Sequence, residues 1–233
     1  TGLRQCGFIE VASDPDRLIE YRRVAAFNRH CGIDVQEISP AEVQRLFPLA
    51  RVDDVLAGFY VKDDGRVDPV DVTMALAKGA RMQGATVLEG VTVTDVLHRR
   101  GAVTGVRTSR GDIACEFVVN CAGMWTRQLA ARAGVAVPLQ SAEHYYLITE
   151  AIAGVDRAWP VLEDPGCYGY YREEGGGLMV GLFEAACAPW KLDGVPDDFS
   201  FGEIPPDWDR MLPYLEKALG RVPAAAAAGV KKF

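Results

Sequence analysis

Residues 117–134 constrain this chain most. An apolar run at Phe117, Val118 and Val119 gives way to small residues at Ala122 and Gly123, and an amphipathic pattern then runs to Gly134, a residue suited to a helix C-cap. Such an order predicts strand, tight turn and helix. A turn of that kind aims free backbone N–H groups and the positive end of a helix dipole at whatever lies above it, commonly a phosphate or dinucleotide. Most strand-to-helix turns in α/β proteins bind nothing, so the pattern alone leaves both readings open.

The flanking segments set the fold class. Residues 5–12 read as a strand, and Asp14-Pro15 starts a helix in which Leu18, Tyr21, Val24 and Ala25 recur at helical spacing before Gly32. Ser39-Pro40-Ala41-Glu42 is a capping box for a second helix that stops near Phe47. A strand over 55–61, a turn at Asp64-Gly65 and a helix from Asp68-Pro69 to Gly84 follow. Short strands over 86–89, 91–97, 102–108 and 112–119 make a β-meander, which is too small for its own core and must pack on something larger. Beyond Val135, strands over 139–149, 169–172 and 178–183 read as antiparallel, with a helix over 207–219 and an alanine run at 224–228 read as loop or frayed helix. The fold class is therefore α/β with α+β character. The parallel strands that a complete sheet requires are too few, so the chain is expected to be unusual or cut from a longer one.

Composition narrows the partners. A net charge of −7, with no Lys/Arg run longer than two, argues against a nucleic-acid surface and for a small ligand. Nothing approaches the length of a membrane span, and no secretory signal is visible. Six cysteines are scattered without a C-x-x-C pair and only three histidines accompany them, so no metal site is expected. Free thiols fit a reducing compartment, cytoplasmic or, in a eukaryote, the mitochondrial matrix.

Several words occur together and in order. They are Gly7 to Ser13 with Arg17-Leu18 and Glu20-Tyr21, Ser39 to Glu42 with Pro48, Asp64-Gly65-Arg66-Val67-Asp68-Pro69, Val91-Thr92-Val93, Val119 to Trp125, His144-Tyr145-Tyr146 with Thr149-Glu150, and Tyr170 to Glu173. On these words the chain resembles the FAD-dependent amine oxidoreductases of the D-amino-acid oxidase superfamily, most closely the dimethylglycine and sarcosine dehydrogenase/oxidase group.

The resemblance implies a partial Rossmann-like FAD-binding domain with a β-meander, plus an antiparallel-sheet substrate domain, in a glucose-methanol or D-amino-acid oxidase type of architecture. Its expected parts are a substrate-domain segment over 1–64, an FAD-domain segment over 65–137 and a second substrate-domain segment over 138–233. The family's opening G-x-G-x-x-G does not occur here, and Gly175-Gly176-Gly177 sits in a hairpin-like turn, so the chain is expected to be an internal fragment.

Carried over residue by residue, the resemblance implies that Val93 meets the adenine through its backbone and that Cys121, Ala122, Gly123 and Trp125 lie along the FAD. Trp125 reads equally well as a core anchor for the following helix. The implied reaction removes a hydride from the carbon beside an amine nitrogen of an N-methylglycine-type substrate, giving an iminium ion. That step needs a free nitrogen lone pair, so a histidine able to take the proton and a tyrosine able to orient the substrate are expected: His144 and Tyr170. Ordinary strand residues are the alternative for each. Tyr146 and Arg172 are the expected substrate contacts, although a solvated arginine is also in keeping with position 172. Tyr145 and Tyr146 alternate, so at most one accompanies His144. A folate-binding domain following this segment in the full protein is a further implied partner, and a catalytically silent regulatory or scaffolding relative, or an oxidase of another amine or amino acid, is the competing reading.

Overall fold

The computed structural model describes residues 2–233. In chain order the strands are β1 (Leu3–Arg4), β2 (Phe8–Ala12), β3 (Val35–Ile38), β4 (Ala57–Val61), β5 (Arg66–Val67), β6 (Val93–Arg99), β7 (Ala102–Thr108) and β8 (Gly111–Ala114). They continue with β9 (Tyr146–Thr149), β10 (Val161–Asp164), β11 (Gly169–Glu174), β12 (Gly177–Leu182) and β13 (Val230–Lys232). The helices are α1 (Pro15–His30), α2 (Pro40–Leu46), α3 (Pro69–Met82), α4 (Thr126–Arg132), α5 (Trp208–Arg221) and α6 (Pro223–Ala227). None of these is long and apolar enough to cross a membrane.

The chain divides into two compact units. The first takes the residues up to Leu76, His144–Ala186 and Pro205–Phe233; the second takes Ala77–Glu143 and Cys187–Ile204. The expected break after residue 64 falls inside the first unit, where Arg66 forms an ion pair with Glu173 of β11.

The first unit is built on an eight-stranded sheet in the order β13-β9-β12-β11-β10-β2-β4-β3. Its neighbours are antiparallel except β10 and β2, so the sheet is mixed where a purely antiparallel one was expected. The helix starts follow their sequence signals. Asp14 accepts the Arg17 N–H at 2.8 Å with Pro15 in the first turn, and the Ser39 hydroxyl accepts the Glu42 N–H at 3.2 Å. Tyr21 and Ala25 of α1 pack with Ala12, Val35, Ala57 and Phe59, which covers one face of β2, β4 and β3. The core continues through Leu162, Tyr171, Leu178, Val180, Leu182, Met211 and Leu215, all buried. Burying side chains of this size stabilises by roughly 1.5–3 kcal/mol each before chain entropy is subtracted.

A fully buried arginine closes this unit. Arg221, at the end of α5, donates to Asp164 at 2.6 Å and to Asp54 at 2.6 Å, and reaches the Ser13 hydroxyl at 3.0 Å. Its charge is answered on three sides, which is the condition for keeping an ion in a dry interior. The thiol of Cys167 lies in the same neighbourhood, where burial and then the Asp164 carboxylate push it up to about 11.

The second unit holds the three-stranded meander β6-β7-β8 with α4. Here the expected strand over 117–119 does not form. The meander ends at Ala114, and Phe117 and Val119 are 84% and 83% exposed. Composition favours a strand at that point, but a strand needs a neighbour for its N–H and C=O groups, and none pairs with it among the described residues. Of the opening pattern, the turn and the helix form, as a 3₁₀ turn over Gly123–Trp125 and then α4.

The expected strand over 86–89 is likewise unformed, and that over 139–149 is reduced to β9. Strands β3 and β10 were not anticipated. Their sequences, Val-Gln-Glu-Ile and Val-Leu-Glu-Asp, are short and carry little alternation. The alanine run becomes the single-turn helix α6.

Candidate active site and flavin groove

The residues expected to bear substrate chemistry lie on one face of the eight-stranded sheet. Residues paired across neighbouring strands point to the same side. The register pairs Glu10 with Glu163, Glu163 with Tyr170, Tyr170 with Gly181 and Gly181 with Tyr146, so these five form one row across β2, β10, β11, β12 and β9. A parallel row holds Arg172, Met179 and Ile148. Tyr145 points the other way: it is buried, stacks on Phe233 and donates its hydroxyl to the Pro205 carbonyl.

Gly181 is what lets Tyr170 lie flat. A Cβ there would overlap Cε1 and Cζ of the Tyr170 ring, so the ring occupies the space that any other residue would fill. The ring touches Phe183 at a centroid distance of 5.3 Å, and Phe183 touches the His144 imidazole at 5.8 Å. Phe183 thus links the two expected catalytic side chains. Burial, reinforced by Tyr146 and Glu163 against the opposing pull of Arg172, raises the Tyr170 phenol. It is a neutral hydrogen-bond donor at physiological pH.

His144 is partly exposed, and its Nδ1 lies 3.2 Å from Oε2 of the wholly buried Glu184. Arg172 is engaged within the chain, since Nη1 pairs with Glu174 at 3.0 Å and Nε approaches Met179 Sδ at 3.3 Å. The carboxyls of Glu163 and Glu10 are both raised, each chiefly by burial, and Glu163 further by the charge of Glu10. Sequence reasoning missed Glu10, Glu163, Phe183 and Glu184. The signal available for one neighbour was Gly181 itself, a glycine inside a strand, which commonly marks a close approach.

The five residues expected along the flavin meet in the second unit. Val93, Cys121, Ala122, Gly123 and Trp125 line one groove of about 810 Å³, with Val118, Asn120 and Phe199 among its other walls. Asn120 shapes the turn: its Oδ1 accepts the Ala122 N–H at 3.2 Å and its Nδ2 donates to the Thr126 carbonyl at 3.2 Å. Gly123 has φ +54 with open space where a side chain would stand, so a ligand can approach that backbone closely. Trp125 serves both readings, lining the groove while its Nε1 donates to the Pro196 carbonyl at 2.9 Å. An apolar groove of this volume with free backbone at one edge suits part of a dinucleotide such as FAD.

Comparison with known proteins gives the same direction. The family described as "FAD dependent oxidoreductase" matches residues 1–232. Mitochondrial sarcosine dehydrogenase of Mus musculus is 37% identical over 236 residues, covering 99% of this chain and 25% of that protein. The mitochondrial pyruvate dehydrogenase phosphatase regulatory subunit of Mus musculus is 34% identical over 243 residues, covering 100% of this chain and 27% of that protein. This chain therefore spans about a quarter of the length of these relatives. Among solved structures, L-proline dehydrogenase from P. horikoshii superposes with a TM-score of 0.81 at 22% identity, over 98% of this chain and 59% of that one. With residues 1–232 matched by the family and the fold reproduced, the chain belongs to the DAO family of FAD-dependent oxidoreductases.

Proposed function

We propose that this chain is part of an enzyme that oxidises an N-methylglycine-type amine, sarcosine or dimethylglycine, to its iminium ion. The observation that supports this most is the joining of His144 to Tyr170 through the Phe183 ring. FAD, when bound, accepts the hydride. Val93 and the turn from Cys121 to Trp125 hold part of that cofactor in their groove.

The remaining work falls to the side chains of the sheet. The substrate arrives mostly as an ammonium ion, whose lone pair is occupied by a proton. His144 takes that proton, freeing the lone pair to stabilise the cation that forms as hydride leaves. Tyr170, kept protonated by burial, donates a hydrogen bond that orients the substrate. Tyr146, one strand beyond Gly181 in the same row, bounds the site, and Arg172 turns to the substrate carboxylate by exchanging Glu174. In the complete protein the first unit serves the substrate, the second serves FAD, and a folate-binding domain receives the one-carbon unit. The compartment is reducing, cytoplasmic or mitochondrial.

The test is anaerobic visible absorbance of the full reading frame, purified with its flavin, before and after adding sarcosine or dimethylglycine. Bleaching of the flavin band by either, lost in His144→Asn and Tyr170→Phe with flavin retained, is the expected result. A second reading, a silent regulatory relative, is favoured by the 34% identity to the phosphatase regulatory subunit. It predicts a flavin band that neither amine bleaches.

A further inference from the structure

Glu184 lies two residues past β12, and its carboxylate has no exposure to solvent. An ionised group in that position needs partners on both oxygens. Oε2 lies 3.2 Å from Nδ1 of His144, and Oε1 lies 3.5 Å from Nη1 of Arg210. Arg210 is fixed in its turn at the start of α5. Its Nε donates to the Asp207 carboxylate at 3.0 Å, its backbone N–H donates to the same group at 3.1 Å, and its guanidinium lies 5.4 Å from the Tyr145 ring centre. The array Asp207, Arg210, Glu184 and His144 thus runs from a helix N-terminus to the site, with charges alternating in sign until the imidazole.

From this we infer that Glu184 is a positioning residue for His144, setting both its orientation and its tautomer. The inference rests on the proposed role of His144. A carboxylate accepts hydrogen bonds and donates none, so Nδ1 is the nitrogen that bears hydrogen and Nε2 is the one with the lone pair. When the substrate N–H bond breaks and the Nε2–H bond forms, positive charge appears on the imidazole. Glu184 already stands 3.2 Å from that charge, with Arg210 balancing it in the resting state. Phe183 packs against the imidazole and restricts its rotation.

The experiment is rapid-mixing flavin reduction in the flavin-loaded full-length protein, with rate and amine dissociation constant measured separately. Glu184→Gln keeps the shape, but its amide both donates and accepts, so the tautomer is no longer dictated. It is expected to slow reduction at saturating amine by 10- to 100-fold while changing the dissociation constant by less than threefold. Glu184→Asp is expected to be intermediate. The double variant with His144→Asn is expected to be no slower than His144→Asn alone, because Glu184 acts only through that residue.

Reduction in Glu184→Gln at the parent rate overturns the inference, as does a double variant slower by the product of the two effects. Should Glu184→Gln fail to load flavin, Glu184→Asp decides. It keeps the charge facing Arg210 but withdraws the oxygen by about 1.5 Å, and a parent-like rate there overturns the inference too. His144→Asn reducing at the parent rate is a different failure, since it removes the proposed site itself.

Discussion

Replacing Gly181 by alanine tests the sheet-face site most sharply, because the perturbation is a single methyl aimed at a single ring. The new Cβ would overlap Cε1 and Cζ of Tyr170. Restoring an ordinary carbon contact of about 3.5 Å requires the ring to move by about 1.5 Å. The ring is half-buried and turns about its own torsions, so it yields before the strand does. Overpacking typically costs about 1–3 kcal/mol, and replacing a strand glycine by alanine returns about 0.5–1 kcal/mol. The net loss is about 1 kcal/mol, a fall in Tm of roughly 2–4 °C for a protein of this size. Catalysis is far less tolerant, since a displacement of about 1 Å at a reacting group costs on the order of 100-fold. Gly181→Ala in the flavin-loaded full-length protein is therefore expected to fold, keep its flavin and lose at least about 100-fold in flavin reduction by the amine. Thermal unfolding and stopped-flow absorbance read the two effects separately. A variant that reduces its flavin within threefold of the parent would show that the position of Tyr170 is immaterial and refute the reasoning.

Two further outcomes follow from the charges. Arg221→Leu leaves the buried Asp164 facing no cation, and a loss of about 3–5 kcal/mol is expected in denaturant unfolding, against well under 1 kcal/mol for an exposed control such as Arg22→Leu. Glu163→Gln tests the row of carboxyls through pH. The folded-state value of Glu163 is raised, so its favourable contribution is fully present below the unfolded value near 4.5 and is lost as pH rises through the folded one. The variant should melt about one to two degrees above the parent at pH 7, a small gain because the group is half-exposed, and the gap should close toward pH 4. A gap that widens on acidification would reverse the sign of the argument.

Much of this was legible in the sequence wherever the information is local. Caps at Asp14, Ser39 and Asp68 begin helices in the structure, and the two-residue alternation that puts Tyr170 with Arg172 and separates Tyr145 from Tyr146 appears in the register. What failed was of two kinds. Residues 117–119 have the composition of a strand, but composition supplies no partner for the backbone, and Phe117 and Val119 stay exposed. Glu10, Glu163 and Glu184 look like ordinary surface carboxylates in the sequence. Their meaning comes from Tyr170, His144 and each other, residues brought beside them only by strand pairing and by the loop after β12. Arg221 is similar: nothing at the end of α5 announces a residue without solvent exposure, since all its partners come from other segments.

The discontinuity of both units has a consequence for how such a chain is made. Strand β2 pairs in parallel with β10, which lies on the far side of the meander, and residues 187–204 join the meander's unit only after β12 has been translated. Neither unit is continuous in the chain, so neither can close before its last segment has emerged. The free edge of β2 must wait for β10, and the Asp164 carboxylate must wait for Arg221 near the end of α5. Pairings this distant in sequence form slowly. The emerging polypeptide therefore spends most of its synthesis with core surface uncovered, and its yield should depend on chaperone supply and translation speed more than its final stability suggests.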